Sequence, residues 1–278
     1  MVEILIDSIN DTIKAAPMIF VIFLLVDVFI NRMGNVDKYK DSFSKVDYFG
    51  GAILGAIPQC GISIAFARLY SNGYITLGML VAVFISGSDE ALIILGAYPN
   101  MLSTVFLILA LKILVAICAG FAVNKLIKEK RNRIRNSCGI GCSCPKCAAS
   151  GNIIINNLIH TTKIMLFLIL TVFVINLCVE RLGEDVFTSL LGKNTFLQPV
   201  YASLIGMIPS CFSSILLAEG YINNAIGFGA LVAGLCANTG YGILIIFRRL
   251  SFKKAIKIML IVQGISIFIG EIIFLFWS

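Results

Sequence analysis

The sequence contains one pattern twice. The segment Gly55-Ala-Ile-Pro-Gln-Cys60 recurs as Gly206-Met-Ile-Pro-Ser-Cys211, a shift of 151 positions (206 − 55). Fifteen of the 41 positions from 55 to 95 are identical to their counterparts at 206–246, and Pro, Cys, Tyr and Gly match in the same register. Because apolar composition alone does not align such residues, we predict two equivalent halves.

The repeat divides the chain into three parts. Ahead of the duplicated motif, a shift of 149 aligns residues 11–14 with 160–163. The N-terminal transmembrane repeat is therefore predicted to cover 1–128 and the C-terminal one 159–278. A basic, Cys-rich linker at 129–158 joins them on the cytoplasmic side.

The composition places both repeats in a membrane. Of the 278 residues, 59% are hydrophobic and 13% charged, and the mean hydropathy is +0.96. Since soluble domains carry about twice this share of charged residues, an ordinary soluble enzyme, a disordered chain and a nucleic-acid binder are excluded. The sequence predicts an all-α polytopic protein of a prokaryotic-type inner membrane, with segments of about 20 apolar residues spanning the bilayer.

Two basic stretches predict how each half crosses the membrane. Residues 125–147 carry seven Lys and Arg, and residues 248–257 carry five, so both should lie inside. This requires one segment between them to be re-entrant. The Pro-x-Cys segments are the candidates, because proline breaks a helix. Each half then makes three crossings plus one hairpin, which predicts inverted repeats with both termini outside.

Inverted repeats with broken helices are typical of secondary transporters, whose substrate site lies near the middle of the membrane. The two Pro-x-Cys turns are the first candidate site. Their thiolates would suit soft ions and arsenite-like species, although small residues that pack a tight turn would produce the same pattern. The candidate residues are Pro58, Gln59, Cys60, Pro209, Ser210 and Cys211.

A second candidate lies in Ser86-Gly-Ser-Asp-Glu90, where two carboxylates interrupt an apolar segment. Charges at such depth are usually paired or functional. The repeat counterpart is polar but uncharged, and the combined oxygen atoms suit hard divalent cations such as Mn²⁺. The alternatives are a salt bridge to Lys112 or a helix cap formed by Asp89. The predicted ligands are Ser86, Ser88, Asp89, Glu90, Asn238 and Thr239, and the candidates for proton coupling are Asp27 and Lys112.

The linker contains a third candidate site. Its four cysteines, Cys138, Cys142, Cys144 and Cys147, are spaced C-x3-C-x-C-x2-C. In a reducing cytoplasm four thiolates can bind Zn²⁺ or another soft metal. A flexible loop with reactive thiols is the alternative. We expect a regulatory or capture site here, and no cofactor is required for transport.

These motifs resemble a known family. The Gly-x-Ile-Pro-x-Cys segments, Ser-Asp-Glu-Ala at 88–91, the Cys-rich loop, His-Thr-Thr-Lys at 160–163 and Ala-Gly-Leu-Cys at 233–236 are similar to those of the ten-span heavy-metal exporters. Members of this family are also described as manganese transporters or arsenic efflux proteins. The resemblance covers nearly the whole chain and implies membrane transport, namely efflux, of a metal or metalloid.

The sequence therefore predicts a secondary transporter that exports a divalent metal, with Mn²⁺ favoured. Efflux of arsenite or an organoarsenical through Cys60 and Cys211 is the alternative. A membrane metal sensor would not explain the polar groups within the spans. An intramembrane enzyme is disfavoured, because the chain has one His and no His-Glu-x-x-His motif. The expected partners are the metal and the lipid bilayer, not nucleic acid, and a homo-oligomer is compatible with this reading.

Overall fold

Helices form nearly all of the backbone that the computed structural model describes, which comprises residues 47–57, 60–87, 90–127, 196–209 and 211–277. This part of the chain contains no strand. The first half contributes α1 (Asp47–Gly55), α2 (Cys60–Ser71), α3 (Leu77–Ser86), α4 (Glu90–Gly96), a 3₁₀ turn (Pro99–Met101) and α5 (Leu102–Leu126). The second contributes α6 (Gln198–Gly206), α7 (Cys211–Ile222), α8 (Phe228–Ala237), α9 (Gly242–Arg249) and α10 (Phe252–Trp277).

The Pro-x-Cys segments are broken helices, as predicted. In the first half α1 ends at Gly55 and α2 begins at Cys60, and in the second α6 ends at Gly206 and α7 begins at Cys211. Proline lacks the amide hydrogen that would continue the helix, so each interruption falls around it. A re-entrant course for these segments stays a prediction, as do the inverted orientation of the halves and their boundaries at the linker.

Within the described residues, four segments are long and apolar enough to cross a membrane, at Leu77–Gly96, Leu102–Leu126, Phe228–Arg249 and Phe252–Phe276. The 25-residue helix α5 measures about 37 Å at 1.5 Å per residue, which exceeds the hydrocarbon thickness of a bilayer. The first and third segments are 73% and 78% buried, against 33% and 28% for the second and fourth. The broken segments α3–α4 and α8–α9 are therefore the more buried pair, and α5 and α10 are the more exposed pair.

Three helices of each half pack together in the same way. Helix α3 contacts α1 and α5, and α8 contacts α6 and α10 in the same pattern. Small residues allow the close approach: a Cβ atom on Gly55 would lie 2.8 Å from the Val83 carbonyl, and one on Gly206 would collide with Gly234. Since Val83 and Gly234 are themselves equivalent (83 + 151), both halves use one helix crossing. Close packing over small residues is how membrane helices associate without a hydrophobic driving force.

The shorter helices pair across the two halves. Helix α2 packs against α9, and α4 packs against α7. At the end of the first pair, the Arg249 guanidinium donates a hydrogen bond to Asn72 Oδ1 over 3.1 Å. The two halves therefore contact each other through these two pairs of short helices.

Polar side chains fix the starts of the two central helices. Thr76 caps α3 by accepting a hydrogen bond from the Met79 amide over 3.2 Å, and its hydroxyl donates to Asp47 Oδ2 over 2.9 Å. In the second half, Gln198 Oε1 accepts from the Gly227 amide over 3.1 Å. These contacts hold α3 and α8 in register with α1 and α6.

Candidate functional site

Each half contains a second helix break, which lies in its central segment at an equivalent position. Helix α3 ends at Ser86 and α4 begins at Glu90, while α8 ends at Ala237 and α9 begins at Gly242. The sequence predicted polar groups here, and it predicted a helix end only in the alternative that Asp89 caps a helix. Interrupted helices leave backbone N–H and C=O groups without intrahelical partners. In a membrane span such groups can bind an ion or a substrate, so these breaks are candidate binding sites.

Local sequence explains why the helices stop. Gly87 and Asn238 leave the helical conformation with ψ of 116° and 103°. Asn238 Oδ1 then accepts a hydrogen bond from the Gly240 amide over 2.9 Å, an Asx turn of the kind that competes with helix. Gly240 has a φ of +56°, which favours glycine. The break at 238–241 is thus encoded by Asn and Gly, with no proline involved.

A buried lysine joins the two breaks. Lys112 lies in the interior of α5 and is 1% exposed. Its Nζ donates hydrogen bonds to the carbonyl of Gly87 at the end of α3 and, over 3.0 Å, to the carbonyl of Leu235 in the last turn of α8. The C-terminal end of a helix carries about half a negative elementary charge. Two such ends therefore meet at one cationic side chain.

We call the Lys112 ammonium and its two carbonyl partners, from Gly87 and Leu235, the junction. Further polar groups surround it. Ser86, Asn238 and Thr239 are all buried, with exposures of 0%, 3% and 4%. Ser86 Oγ donates to the Val83 carbonyl at 3.4 Å. The thiol of Cys236, next to Leu235, is free and fully buried. Oxygen donors and one thiol thus lie within a turn of the carbonyls that Lys112 contacts.

Helix α2 of the first half reaches the break of the second. A Cβ atom on Gly240 would lie 3.2 Å from Ser63 Oγ, and one on Gly242 would lie 2.7 Å from the Ser63 carbonyl. The equivalent residue Ser214 on α7 is fully buried. Sequence reasoning did not select either serine for the site, although the match of Ser63 with Ser214 across the repeat was the available signal.

The predicted site residues divide into two groups. Ser86, Lys112, Asn238 and Thr239 belong to the junction, and Pro209 lies in the break between α6 and α7. The others fall outside the described residues or have side chains outside them, and for these the predictions stand as made: Asp27, Pro58, Gln59, Cys60, Ser88, Asp89, Glu90, Ser210, Cys211, Cys138, Cys142, Cys144 and Cys147. In the part of the chain that is described, no three His, Cys, Asp or Glu side chains form a metal-binding group.

One more ionisable group lies in a span away from the junction. Both carboxylate oxygens of Glu271 on α10 are shielded from solvent, and neither has a hydrogen-bond partner among the described residues. An ionisable group in a span is usually paired or functional.

The described residues are helical and include four candidate membrane spans, which defines a polytopic integral membrane protein. A family model described as "Putative, 10TM heavy-metal exporter" matches residues 1–170 and 152–276. The chain belongs to this family of heavy-metal exporters. No curated protein and no solved structure matches it.

Proposed function

We propose that the chain exports a divalent metal cation, with Mn²⁺ as the first candidate, across the inner membrane of a prokaryotic-type cell. The observation that carries this proposal is the convergence of two helix C-terminal ends on Lys112, since the Gly87 and Leu235 carbonyls already bind one cation. In secondary transporters with broken helices, unwound carbonyls and helix C-termini bind cations. The Lys112 junction thus has the polarity that a cation requires.

The donor atoms favour a hard cation. The buried groups next to the junction are mainly oxygen donors, from Ser86, Asn238 and Thr239. Asp89 and Glu90 follow Gly87 in the sequence, and we propose that they complete the site with carboxylate oxygens. Carboxylate, carbonyl and hydroxyl oxygens suit Mn²⁺ and Mg²⁺ better than softer metals. A neutral metalloid hydroxide would gain little from the helix ends.

One observation favours a second candidate, efflux of a soft metal or of arsenite. Cys236 has a fully buried thiol and lies in the last turn of α8, one residue after Leu235, whose carbonyl contacts Lys112. Together with Cys60 and Cys211 it could supply a thiolate set for a soft ion. This function requires the two Pro-x-Cys turns to approach the end of α8.

Transport by reconstituted protein distinguishes the two candidates. Wild-type protein in proteoliposomes is assayed with Mn²⁺, Zn²⁺, Cd²⁺ and arsenite. For a hard cation, the Asp89→Asn, Glu90→Gln double variant should lose most Mn²⁺ transport, while the Cys60→Ser, Cys211→Ser and Cys236→Ser variants retain it. Arsenite cargo should reverse this order. Glu219→Gln is the matched control, because it removes an exposed carboxylate on α7. Full Mn²⁺ transport by the double variant would refute the carboxylate site.

The proposal also includes two residue roles and the relative orientation of the halves. Asp27 is the candidate for proton coupling in the first span. The linker cysteines form a regulatory metal site separate from the transport site. The halves are inverted, which would allow one to rock against the other around the junction.

A further inference from the structure

We infer that the Lys112 ammonium is a tethered competitor of the transported cation: it fills the cation position while the cargo is absent, and the cargo must displace it. This inference rests on the proposed function, since it requires a cationic cargo. In this role Lys112 does not bind the cargo and does more than hold the helices together, because it occupies the cation position until the cargo arrives. The contacts of Nζ with the Gly87 and Leu235 carbonyls are its starting point.

The position of Nζ is the one that a bound cation would take. Its two carbonyl partners come from different halves of the protein, at the ends of α3 and α8. Two negative helix ends that faced each other without a cation would repel strongly, because the dielectric constant is low in the protein interior. An ammonium at 1% exposure has given up its hydration, and only close oxygen contacts offset that cost. The junction and the ammonium therefore stabilise each other.

Lysine is suited to leave this position. Its charge sits on a flexible four-carbon stem, whereas arginine would hold the carbonyls with a rigid planar fork. A divalent cation that enters between the helix ends has twice the charge of the ammonium and would repel it. The same site can then hold either cation, but not both at close range.

The repeat indicates that one lysine serves both breaks. Gly78 packs on Gly120 of α5, and the equivalent Gly229 packs on Gly270 of α10, so α5 and α10 align with a shift of 150. The counterpart of Lys112 is then Val262, which is 1% exposed. Val262 is apolar, so α10 contributes no charge at the position equivalent to Lys112. Among the described residues of α5 and α10, Lys112 is therefore the one that brings a positive charge to the junction.

Competition makes an unusual prediction about affinity. A site that the ammonium fills nine-tenths of the time binds its cargo about tenfold more weakly than the vacant site. Removing the ammonium should therefore strengthen cargo binding. It should also slow transport, because the cargo-free carrier would have to change conformation with an unneutralised pair of helix ends. A merely structural lysine predicts the opposite for binding, since its loss would loosen the site.

The test measures binding and transport separately for Lys112→Met, Lys112→Gln and Lys112→Arg. Mn²⁺, Zn²⁺ and Cd²⁺ binding is measured by calorimetry on purified protein in detergent, and initial rates are measured in proteoliposomes. Lys112→Gln retains amide donors for the carbonyls but no charge, so it remains informative if Lys112→Met fails to fold. We expect both neutral variants to bind the cargo several-fold to about tenfold more tightly, with a reduced maximal rate. Lys112→Arg should bind no more tightly than wild type.

Two results would overturn the inference in distinguishable ways. If wild type binds a divalent metal and the folded neutral variants bind it equally or more weakly, the competitor role is wrong while the proposed function stands. If neither wild type nor any variant binds or transports these metals, the proposed function fails and the competitor role fails with it. Circular dichroism and thermal unfolding identify which variants are folded.

Discussion

Asp47 and Gln198 occupy equivalent positions of the two halves (47 + 151 = 198), and each accepts a hydrogen bond at the start of the central helix that follows. Asp47 receives the Thr76 hydroxyl ahead of α3, and Gln198 receives the Gly227 amide ahead of α8. Gln198 also donates to the Ala225 carbonyl over 3.2 Å. The two halves thus preserve the contact while changing the residue, which indicates that the start of each central helix must be held in place.

Replacing Asp47 should therefore destabilise the fold. Asp47→Ala leaves the Thr76 hydroxyl without this acceptor and also removes the acceptor of the Asn124 amide, 3.5 Å from Asp47 Oδ1. It should cost about 1 kcal/mol or more of unfolding free energy. Asp47→Asn retains an oxygen acceptor and should cost less. Thermal unfolding in detergent measures both, and Gln198→Ala should shift the midpoint in the same direction. An unchanged midpoint for Asp47→Ala would show that this contact contributes nothing to stability.

The helix crossings make a second prediction. A methyl group added at Gly206 would collide with the backbone of Gly234, so Gly206→Ala should cost about 1–3 kcal/mol through overpacking. Gly264→Ala on α10 is the matched control, because a Cβ atom there meets nothing within 4 Å. The control should be neutral or stabilising by up to about 1 kcal/mol, as for Gly to Ala within a helix. Equal unfolding temperatures for the two variants would contradict the close crossing.

The residues that terminate helices decide how much of this fold the sequence could predict. The breaks around Pro58 and Pro209 were predictable, because proline removes a backbone donor wherever it lies. The breaks after Ser86 and Ala237 lack proline. The first was considered only as the alternative that Asp89 caps a helix, and the second was missed, although Gly87 and Asn238 are turn formers. The polar residues near both breaks were predicted mainly as ligands within apolar segments. Ser86, Asn238 and Thr239 lie at these breaks, and their role as ligands stays a prediction.

The role of Lys112 could not be read from the sequence for a different reason. Two of its hydrogen-bond partners are backbone carbonyls. Because every residue has a carbonyl, the sequence does not indicate which of them contact the lysine. The pairing of α2 with α9 and of α4 with α7 was equally inaccessible. A repeat in the sequence indicates the order of helices within each half, but it does not indicate which helix of one half packs against which helix of the other.

The Asx turn in the second break gives a third prediction. Asn238→Asp retains an oxygen that can accept from the Gly240 amide and adds a carboxylate near the junction. The added negative charge at the end of α8 should lower the unfolding midpoint in the absence of metal, and Mn²⁺ should bind more tightly than to wild type. Asn238→Ala loses both the turn contact and a proposed ligand, so it should bind Mn²⁺ more weakly. Calorimetry with thermal unfolding on the same samples measures both effects. Weaker binding by a well-folded Asn238→Asp would exclude a cation ligand at this position.

The predicted inversion of the halves can be tested directly. An odd number of crossings per half places the linker inside and the C-terminus outside, so the two should label from opposite sides of the membrane. Ser137→Cys and Ser278→Cys, each in a background that lacks the other reactive cysteines, are exposed to an impermeant maleimide in intact cells and in inverted vesicles. We expect position 278 to react in cells and position 137 in inverted vesicles. Labelling of both from one side would refute the inverted topology.

The Cys-rich linker should bind metal without forming part of the transport pathway. Its four cysteines lie at the boundary of the repeats, outside the described residues, whereas the junction at Lys112 is built from α3, α5 and α8. Replacement of Cys138, Cys142, Cys144 and Cys147 by Ser removes four thiolate ligands that would suit Zn²⁺. We expect purified quadruple variant to lose its tightly bound zinc, measured by elemental analysis, while it retains most of the Mn²⁺ transport rate in proteoliposomes. A single Cys118→Ser variant on α5 controls for thiol removal elsewhere, because that cysteine is free and exposed. Complete loss of transport in a folded, correctly inserted quadruple variant would instead place the linker on the transport pathway.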